Sequence, residues 1–301
     1  NQSTTYEYDH FGNLTKVTDP LGNQSTSSYD TLGRQTAKND PDLGNWTFAY
    51  NPLGQLTSQT DAKGQVTTFV YDKLGRRTQR SEPSMTANWT WDTATKGIGK
   101  IASSFTNSGV SRSYLYDLYG RPSTQTLNVD GVAYPTTTTY DATGRPEVLT
   151  YPSGFAVKNV YNGVGYLSEV RNSTTNALYW YASAQGPAGL TVEVLGNATA
   201  IVRVFDQNTQ RVTQIAAFRD SDSSILQHHG FGYDLVGNMS YRVELNQGVT
   251  ETFAFDNLDR ITAVAGPAPK TYTYNDIGNI LSKSDVGTYS YPTSGKVHAV
   301  S

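Results

Sequence analysis

The alternation of apolar and polar positions predicts short β-strands along the whole chain. Residues 4–8 place Tyr6 and Tyr8 two positions apart, so both side chains lie on one face of a strand. Residues 66–71 are likewise rich in threonine and aromatic residues, and they add valine. Turn-forming residues separate such segments, so the pattern predicts antiparallel hairpins in series.

A six-residue unit repeats: an aromatic residue, Asp or Asn, two variable residues, Gly, and then usually Arg, Asn or Gln. The first four copies begin 21 residues apart, and weaker copies begin at Trp91, Phe205 and Phe255. The 44-residue gap between Tyr161 and Phe205 indicates a decayed copy near 179–181. The residues expected to have a structural role in this motif are Tyr8, Asp9, Gly12, Tyr29, Asp30, Gly33, Arg34, Tyr50, Gly54, Tyr71, Asp72, Gly75, Arg76, Tyr116, Asp117, Gly120, Arg121, Tyr140, Asp141, Gly144, Arg145, Tyr161, Gly165, Tyr233, Asp234, Gly237, Tyr274 and Gly278.

A second turn signal lies midway between successive motifs, as in residues 19–23, 40–45 and 61–65. The Asp carboxylate can accept the backbone N–H two residues on, Pro presets φ, and Gly tolerates a positive φ. We call the turn inside the motif the motif turn and the other the mid-turn. Two turns per 21 residues leave two strands of about six residues, so each repeat is a β-hairpin. Three stretches that break the period, 97–113, 179–200 and 219–230, are expected to be insertions or loops.

About twelve repeats give on the order of 24 strands, which would form a flat ribbon about 115 Å wide. A compact chain of this length is nearer about 50 Å across, and open sheets of more than about ten strands curl. The predicted fold class is therefore all-β: one array over residues 1–301 of antiparallel hairpins coiled into a curved, spiralling sheet.

Composition excludes several classes of function. The 21 Tyr, 10 Phe and 4 Trp favour β-structure, and a net charge of −3 with pI near 5.8 argues against a nucleic-acid or polybasic membrane-surface partner. No apolar run approaches the length of a membrane span. The absence of cysteine excludes a disulfide scaffold, a thiolate zinc site and a cysteine nucleophile.

Candidate chemistry is sparse. His228 and His229 are adjacent and point to opposite faces of a strand, while His10 and His298 are distant in sequence. The stretch that begins at Asp220 resembles the start of a calcium loop, but Ile225 and Phe231 stand where Gly and Glu are required. There is no phosphate-binding loop and no Gly-x-Ser-x-Gly elbow. We therefore expect no cofactor, no metal and no enzymatic activity.

The charged and the aromatic residues of the motif could each have a structural or a binding role. The aspartates are expected to cap turns rather than form a calcium ladder, and the arginines after the glycine to pair with a neighbouring turn rather than bind sugars. One tyrosine per repeat fits packing between repeats, although its ring could also stack on a sugar. The residues of highest aromatic density, where the period falters, are candidate ligand contacts: Trp89, Trp91, Tyr179, Trp180 and Tyr181.

Tyr-Asp-x-x-Gly-Arg at a 21-residue period, with Asp-Pro-x-Gly between copies, resembles the YD repeat of the Rhs family over essentially all of 1–301. That family includes bacterial Rhs polymorphic toxins, the B and C components of Tc toxin complexes, wall-associated proteins and teneurins. The resemblance implies a hollow, spiralling β-shell that encloses a C-terminal effector polypeptide in a secreted or surface bacterial protein. Its partners would be the remainder of its own shell and that effector.

This stretch departs from complete family members in two ways. It has neither the Asp-Pro-x-Gly setting that closes the shell and releases the effector nor a nonrepetitive toxin tail. It also begins at Asn1 without a methionine, as expected of a fragment whose secretion signal lies elsewhere. A non-catalytic segment of the shell wall is therefore the predicted function; a cell-surface module that binds carbohydrate or a receptor is the alternative.

Overall fold

The computed structural model describes residues 2–219 and 221–300, and within them all regular structure is β, in 27 strands without a helix. The strands are β1 Thr5–Tyr8, β2 Leu14–Thr18, β3 Gln24–Tyr29, β4 Gln35–Asp40, β5 Gly44–Tyr50, β6 Leu56–Thr60, β7 Val66–Tyr71, β8 Arg77–Ser81, β9 Thr86–Trp91, β10 Ile101–Thr106, β11 Val110–Tyr116, β12 Pro122–Val129, β13 Val132–Tyr140, β14 Pro146–Thr150, β15 Ala156–Tyr161, β16 Leu167–Asn172, β17 Leu178–Gly186, β18 Gly189–Leu195, β19 Thr199–Phe205, β20 Val212–Arg219, β21 Ile225–Tyr233, β22 Met239–Glu244, β23 Val249–Phe255, β24 Ile261–Ala265, β25 Lys270–Tyr274, β26 Ile280–Lys283 and β27 Gly287–Thr288.

Strands that are consecutive in the chain are neighbours in the sheet. Each strand from β1 to β12, and each from β13 to β25, pairs antiparallel with the next strand of its series. A register shift recurs at the motif aromatic residue, as between Ser28 and Tyr29 and between Ala49 and Tyr50. This is the bulge that accompanies a hairpin loop closed by a residue in the left-handed conformation.

The motif turn repeats the same backbone geometry. In the second copy Gly33 donates to the Asp30 carbonyl at 3.0 Å, and the Asp30 amide donates to the Arg34 carbonyl at 2.9 Å. Gly33 has a φ of 74° and Gly75 one of 79°, as the turn assignment requires. Asp259 occupies the glycine position of a later copy with a φ of 58°, which a short polar side chain tolerates better than a branched one.

Burial is shallow along the array. No described side chain is less than 2% exposed, and the buried hydrophobic residues are few: Phe69, Ala87, Ala102, Val194, Ala216 and Val297. In β5 and β23 exposure alternates strictly, with the face of the motif aromatic half-buried and the opposite face exposed. The residues of the aromatic face supply what core there is.

The described residues form two compact units. Residues 2–135, 273–282 and 286–300 form the first, and 136–219, 221–272 and 283–285 form the second. Within the first unit, residues near 276 and 298 lie against the opening hairpins. The Gln2 amide donates to Asp276 Oδ1 at 3.1 Å, and the His298 backbone N–H donates to Asp42 Oδ1 at 3.0 Å.

The three stretches that break the repeat period were expected to be insertions or loops, and the structure overturns the loop alternative for much of them. Residues 101–106 and 110–116 are strands β10 and β11, and most of 179–200 lies in β17, β18 and the start of β19. The period changes because turns differ in length: the motif turn after Trp91 extends from Asp92 to Lys100, whereas Gly186 pairs directly with Gly189. Half of the stretch 219–230, residues 225–230, lies in strand β21; Asp220, the first residue of the rejected calcium loop, lies outside the described residues.

Candidate functional site

The motif aspartate is held by several hydrogen-bond donors in its own turn. Asp30 Oδ1 accepts the N–H groups of Leu32 at 2.9 Å and Arg34 at 3.0 Å, and Oδ2 accepts Arg34 Nε at 2.7 Å. The Arg34 N–H is the main cause that holds the pKa of Asp30 below its ordinary value; partial burial opposes the shift. The same ion pair forms in four more copies, with aspartates Asp72, Asp117, Asp141 and Asp256.

The motif arginine also reaches the next repeat. The Arg34 guanidinium lies 4.9 Å from the centre of the Tyr50 ring, and its Nη1 donates to the Asn51 carbonyl at 3.1 Å. Arg76 stacks on Trp91 at 5.0 Å and binds both carboxylate oxygens of Asp92. The sequence predicted a contact with a neighbouring turn but not the ion pair within the arginine's own turn.

The motif tyrosine makes the return contact with the preceding repeat. The Tyr50 hydroxyl donates to the Gln35 carbonyl at 2.9 Å, fifteen residues earlier, at the start of the strand that follows the previous motif turn. The same bond at the same spacing is made by Tyr29, Tyr71, Tyr116 and Tyr161. Trp91 replaces it with an indole N–H that donates to the Arg77 carbonyl at 2.9 Å.

These contacts define a repeat junction: the Asp and Arg of one motif turn, the aromatic residue of the next motif, and the carbonyl to which that residue donates. Sequence reasoning missed the hydroxyl bond. The sequence did contain a signal for this bond. In the regular copies, the residue two positions after the motif Gly always lies fifteen residues before the next motif tyrosine. The junction can hold neighbouring hairpins together, and each of its polar groups has a partner in it.

The five candidate ligand contacts are distributed over two units. Trp89 and Trp91 lie on β9 in the first unit, and the other three lie on β17 in the second. On β17, a register shift at Tyr179 interrupts the alternation of faces, and Tyr179 is more exposed than Trp180 and Tyr181. Each of these two groups is therefore described in its own unit.

The polar atoms of these aromatics are mostly engaged. Trp180 Nε1 donates to Glu193 Oε2 at 2.5 Å, and the Tyr179 hydroxyl accepts a hydrogen bond from the Asn172 amide at 2.8 Å. Partial burial alone would raise the pKa of Glu193, but donors from Trp180 and Arg203 outweigh it and lower that pKa. This pattern is typical of structural aromatic residues.

Two clefts lie on the surface of the second unit. One of about 430 Å³ is lined by Gly186, Pro187, Arg203, Phe205, Asp206 and Gln210. Another, of about 420 Å³, is lined by His229, Phe231, Arg242, Glu244, Val249 and Glu251, with His229 Nδ1 at 3.1 Å from Glu244. Neither brings together a nucleophile, a base and an oxyanion-binding group.

The histidines do not converge on a common site. His228 Nε2 lies 3.4 Å from Gln214 Oε1, whereas His229 pairs with Glu244. Over residues 2–219 and 221–300, no three His, Asp or Glu side chains are grouped so that they could hold a metal ion. Across the same residues, no helix is long and apolar enough to cross a membrane.

Comparisons with known proteins agree with this geometry. The family model described as RHS Repeat matches residues 1–24, 8–43 and 50–84. Residues 1–43 and 50–84 are therefore Rhs repeats. No curated protein matches the sequence of this chain.

Solved structures share the fold. A TcdB2-TccC3-TEV crystal structure superposes with a TM-score of 0.84 at 18% identity over 99% of this chain. A TcdB2-TccC3-Cdc42 structure gives 0.81 at 19% identity over 96%, and a Photorhabdus luminescens Tc holotoxin pore gives 0.79 at 19% over 95%. The chain spans 17 to 18% of the length of those chains. The predicted fold class, an all-β array of antiparallel hairpins in one curved sheet, is confirmed.

Proposed function

We propose that the chain is a non-catalytic wall segment of an Rhs/YD-repeat shell that encloses an effector polypeptide. The repeat junction carries this proposal. The charged and aromatic groups that recur most regularly bind the neighbouring repeat, as in Tyr50 to Gln35 and Arg34 to Tyr50. A motif used in this way builds a continuous sheet, and its recurring polar groups are occupied by contacts between repeats rather than left for chemistry.

The state of the acidic groups supports a structural role. Asp30 and Asp72 accept hydrogen bonds from backbone N–H groups and from an arginine, and the pKa of each lies below its ordinary value. A general acid at neutral pH needs a raised pKa, so these carboxyls are unsuited to that task. We therefore expect no enzymatic activity from these repeats.

The partners and location follow from the shell hypothesis. The chain covers only a small part of the matched structures, whose descriptions name TcdB2-TccC3 and a Tc holotoxin pore. We assign the remainder of a shell and an enclosed effector as partners. We expect the complete protein to be secreted or displayed at a bacterial surface as part of a toxin complex.

Protease protection tests the proposal in the protein expressed from its complete reading frame. We expect a polypeptide encoded beyond the repeats to resist limited proteolysis in the parent. It should become cleavable when junctions are weakened by Tyr50→Ala with Tyr71→Ala, but not by Tyr8→Phe, since Tyr8 is 60% exposed. Equal cleavage of that polypeptide in the native and the denatured parent would refute enclosure.

One observation favours the alternative of a carbohydrate-binding surface. In the second unit, Tyr151 and Phe155 stack at 6.0 Å, Phe155 lies 5.8 Å from Tyr179, and all three rings are more than a third exposed. Exposed aromatic rings are suited to stacking on sugars. Glycan-array binding that is lost in Phe155→Ala and kept in Trp180→Phe would support this alternative; absence of binding by the parent would dismiss it.

A further inference from the structure

The strand register shows which residue takes the place of the motif arginine beside Phe205, in the second unit. Extending the pairing of β4 with β5 by three positions places Arg34 opposite Tyr50, the ring on which it lies. Extending the pairing of β18 with β19 by the same three positions places Gly189 opposite Phe205. The motif aromatic Phe205 therefore has a glycine where the regular junction has an arginine.

The backbone at Gly189 excludes an arginine of the chain itself and leaves space for one. Gly189 has a φ of 125°, which residues with a side chain rarely adopt, and a Cβ built there would meet no atom within 4 Å. Ala188 and Thr191, on either side of it, line the cleft of about 430 Å³ together with Phe205. We call this cleft the Phe205 cleft.

The carboxylate of Asp206, which also lines the Phe205 cleft, has one oxygen without a donor. Asp206 Oδ1 accepts the N–H groups of Asn208 at 3.1 Å and Thr209 at 2.7 Å and the Thr209 hydroxyl at 2.9 Å. No residue within 2–219 and 221–300 donates to Oδ2. Elsewhere in the array, Oδ2 of the motif aspartate accepts a hydrogen bond from an arginine or asparagine side chain: Asp9, Asp30, Asp72, Asp92, Asp117, Asp141, Asp234 and Asp256.

The arginine of the same turn does not supply this donor. Arg211 follows Asp206 by five positions, whereas Arg34 follows Asp30 by four. The Arg211 guanidinium lies 5.6 Å from the centre of the Tyr233 ring, and it acts on Asp206 through its charge without a hydrogen bond. The extra residue in the turn therefore separates a pair that the regular copies bring together.

The Phe205 cleft has a net negative charge. Its one basic residue, Arg203, is paired with Glu193 Oε1, and Gln207 and Gln210 are neutral. The Thr209 N–H is the main cause that holds the pKa of Asp206 below its ordinary value, so this carboxyl is ionised at neutral pH. A cationic group would balance that charge.

Trp91 and Asp92 show how an aromatic residue followed by Asp binds a guanidinium. Arg76 lies 5.0 Å from the centre of the Trp91 ring, and its Nη1 and Nη2 donate to Asp92 Oδ1 at 2.9 Å and Oδ2 at 2.5 Å. Phe205 and Asp206 repeat this combination without the arginine. We propose that the Phe205 cleft binds an arginine side chain of another polypeptide segment, with the guanidinium stacked on Phe205 and paired with Asp206.

The lining of the cleft suits arginine better than lysine. Pro187, Ala188 and Val204 offer apolar surface to a methylene stem. A planar guanidinium can donate to a carboxylate and stack on a ring at the same time, whereas an ammonium is a compact point charge. This inference goes beyond the role of a shell wall, because it assigns a ligand class to one cleft of the second unit.

An NMR titration of the ¹⁵N-labelled chain tests the proposal. The probe is a blocked five-residue peptide of glycine and serine with one central arginine. Amide signals of Phe205, Asp206 and Ala188 should shift in a saturable way, with a Kd on the order of 1 mM. The same peptide with citrulline, which keeps the shape and loses the charge, should bind at least about tenfold more weakly, and the lysine peptide should bind more weakly than the arginine peptide.

Asp206→Asn should weaken binding of the arginine peptide by at least about tenfold. The asparagine oxygen can still accept the turn N–H groups, as Asn51 does in its own turn, so the variant should fold. Asp234→Asn is the matched control in the same unit: Asp234 Oδ2 already accepts a hydrogen bond from Asn238, so this variant should bind as the parent does. Phe205→Leu removes the ring and should weaken binding several-fold.

Amide signals outside the Phe205 cleft should be the same in all variants as in the parent, which shows that the fold is kept. Three results overturn the proposal: no saturable shift in the parent, equal affinity for the arginine and citrulline peptides, or binding by Asp206→Asn as tight as that of the parent. The titration needs no enclosed effector, so its outcome is independent of the protease test of enclosure.

Discussion

At the scale of single residues, the motif tyrosine makes two contacts with different parts of its surroundings. The Tyr50 hydroxyl donates to the Gln35 carbonyl, and its ring lies beside the Arg34 guanidinium. Tyr8 has the same place in the first motif, but it is 60% exposed and its hydroxyl makes no hydrogen bond within the described residues. Tyr8 is therefore an internal reference for measuring how much the contacts of Tyr50 contribute to the free energy of unfolding.

Tyr50→Phe should lower the free energy of unfolding by about 0.5 to 1.5 kcal/mol, because it removes the hydroxyl bond and keeps the ring. Tyr50→Ala also removes a half-buried ring and should cost about 2 to 3 kcal/mol. Urea denaturation measures both. Tyr8→Phe is the control and should be neutral; an equal loss in Tyr8→Phe and Tyr50→Phe would show that the hydroxyl bond does not stabilise the fold.

The glycine of the motif turn is a second residue-scale test. Gly33 has a φ of 74°, and a Cβ added there would meet only Asn13 Oδ1, at 3.5 Å, so a substitution is opposed by backbone strain and not by a clash. Gly33→Val should cost about 1 to 2 kcal/mol. Gly33→Asp should cost less, because Asp259 already adopts this conformation at the equivalent position. Equal unfolding midpoints for the Val variant and the parent would contradict the argument.

At the scale of elements, the motif turn couples hydrogen bonding to protonation. Partial burial would raise the pKa of Asp141, but the Arg145 N–H, the Thr143 hydroxyl and the Arg145 guanidinium outweigh it and hold that pKa well below the ordinary 3.8. The pKa of Asp30, Asp72 and Asp256 is also lowered. A carboxyl of this kind binds protons more readily in the unfolded chain, so its stabilisation is complete above the unfolded pKa.

Stability should therefore change little between about pH 7 and pH 5 and should fall as pH drops through about 4. The urea midpoint as a function of pH measures this. Asp141→Asn keeps a side-chain oxygen that can accept the turn N–H groups, as Asn51 does in its own turn, so the variant should fold and show a shallower acid loss. If the urea midpoint of the parent were the same at pH 3 and pH 7, ionisation of the motif aspartates would not contribute to stability.

The sequence predicted elements well wherever turn chemistry is local. The turns at Asp30 and Asp72 follow from residue types within five positions, and the strands between them follow from alternation. It failed where turns change length: the tight turn between Gly186 and Gly189 has no motif, so the strands there were predicted as insertions or loops. The junction itself was only partly predictable, because the bond from a tyrosine to a carbonyl fifteen residues earlier depends on strand register, which the sequence does not state.

At the scale of the whole molecule, the folded chain keeps a large surface in water. Its accessible surface is 18505 Å², against about 12,500 Å² expected for a globular protein of this mass. The stabilisation from deep burial is correspondingly small. Contacts between adjacent hairpins must carry a larger share, and such contacts act only on nearest neighbours.

Nearest-neighbour stabilisation predicts that damage to one junction remains local. In Tyr50→Ala, amide hydrogen exchange should accelerate in peptides from β4 to β7, because the Gln35 carbonyl loses its hydrogen-bond donor and the Arg34 guanidinium loses the ring beside it. Peptides from β18 to β20, which are stabilised by their own pairings, should keep the protection that they have in the parent. Tyr8→Phe should leave both regions unchanged. A uniform loss of protection in Tyr50→Ala would mean that the chain opens as one cooperative body, and that global packing, rather than the junctions, determines its stability.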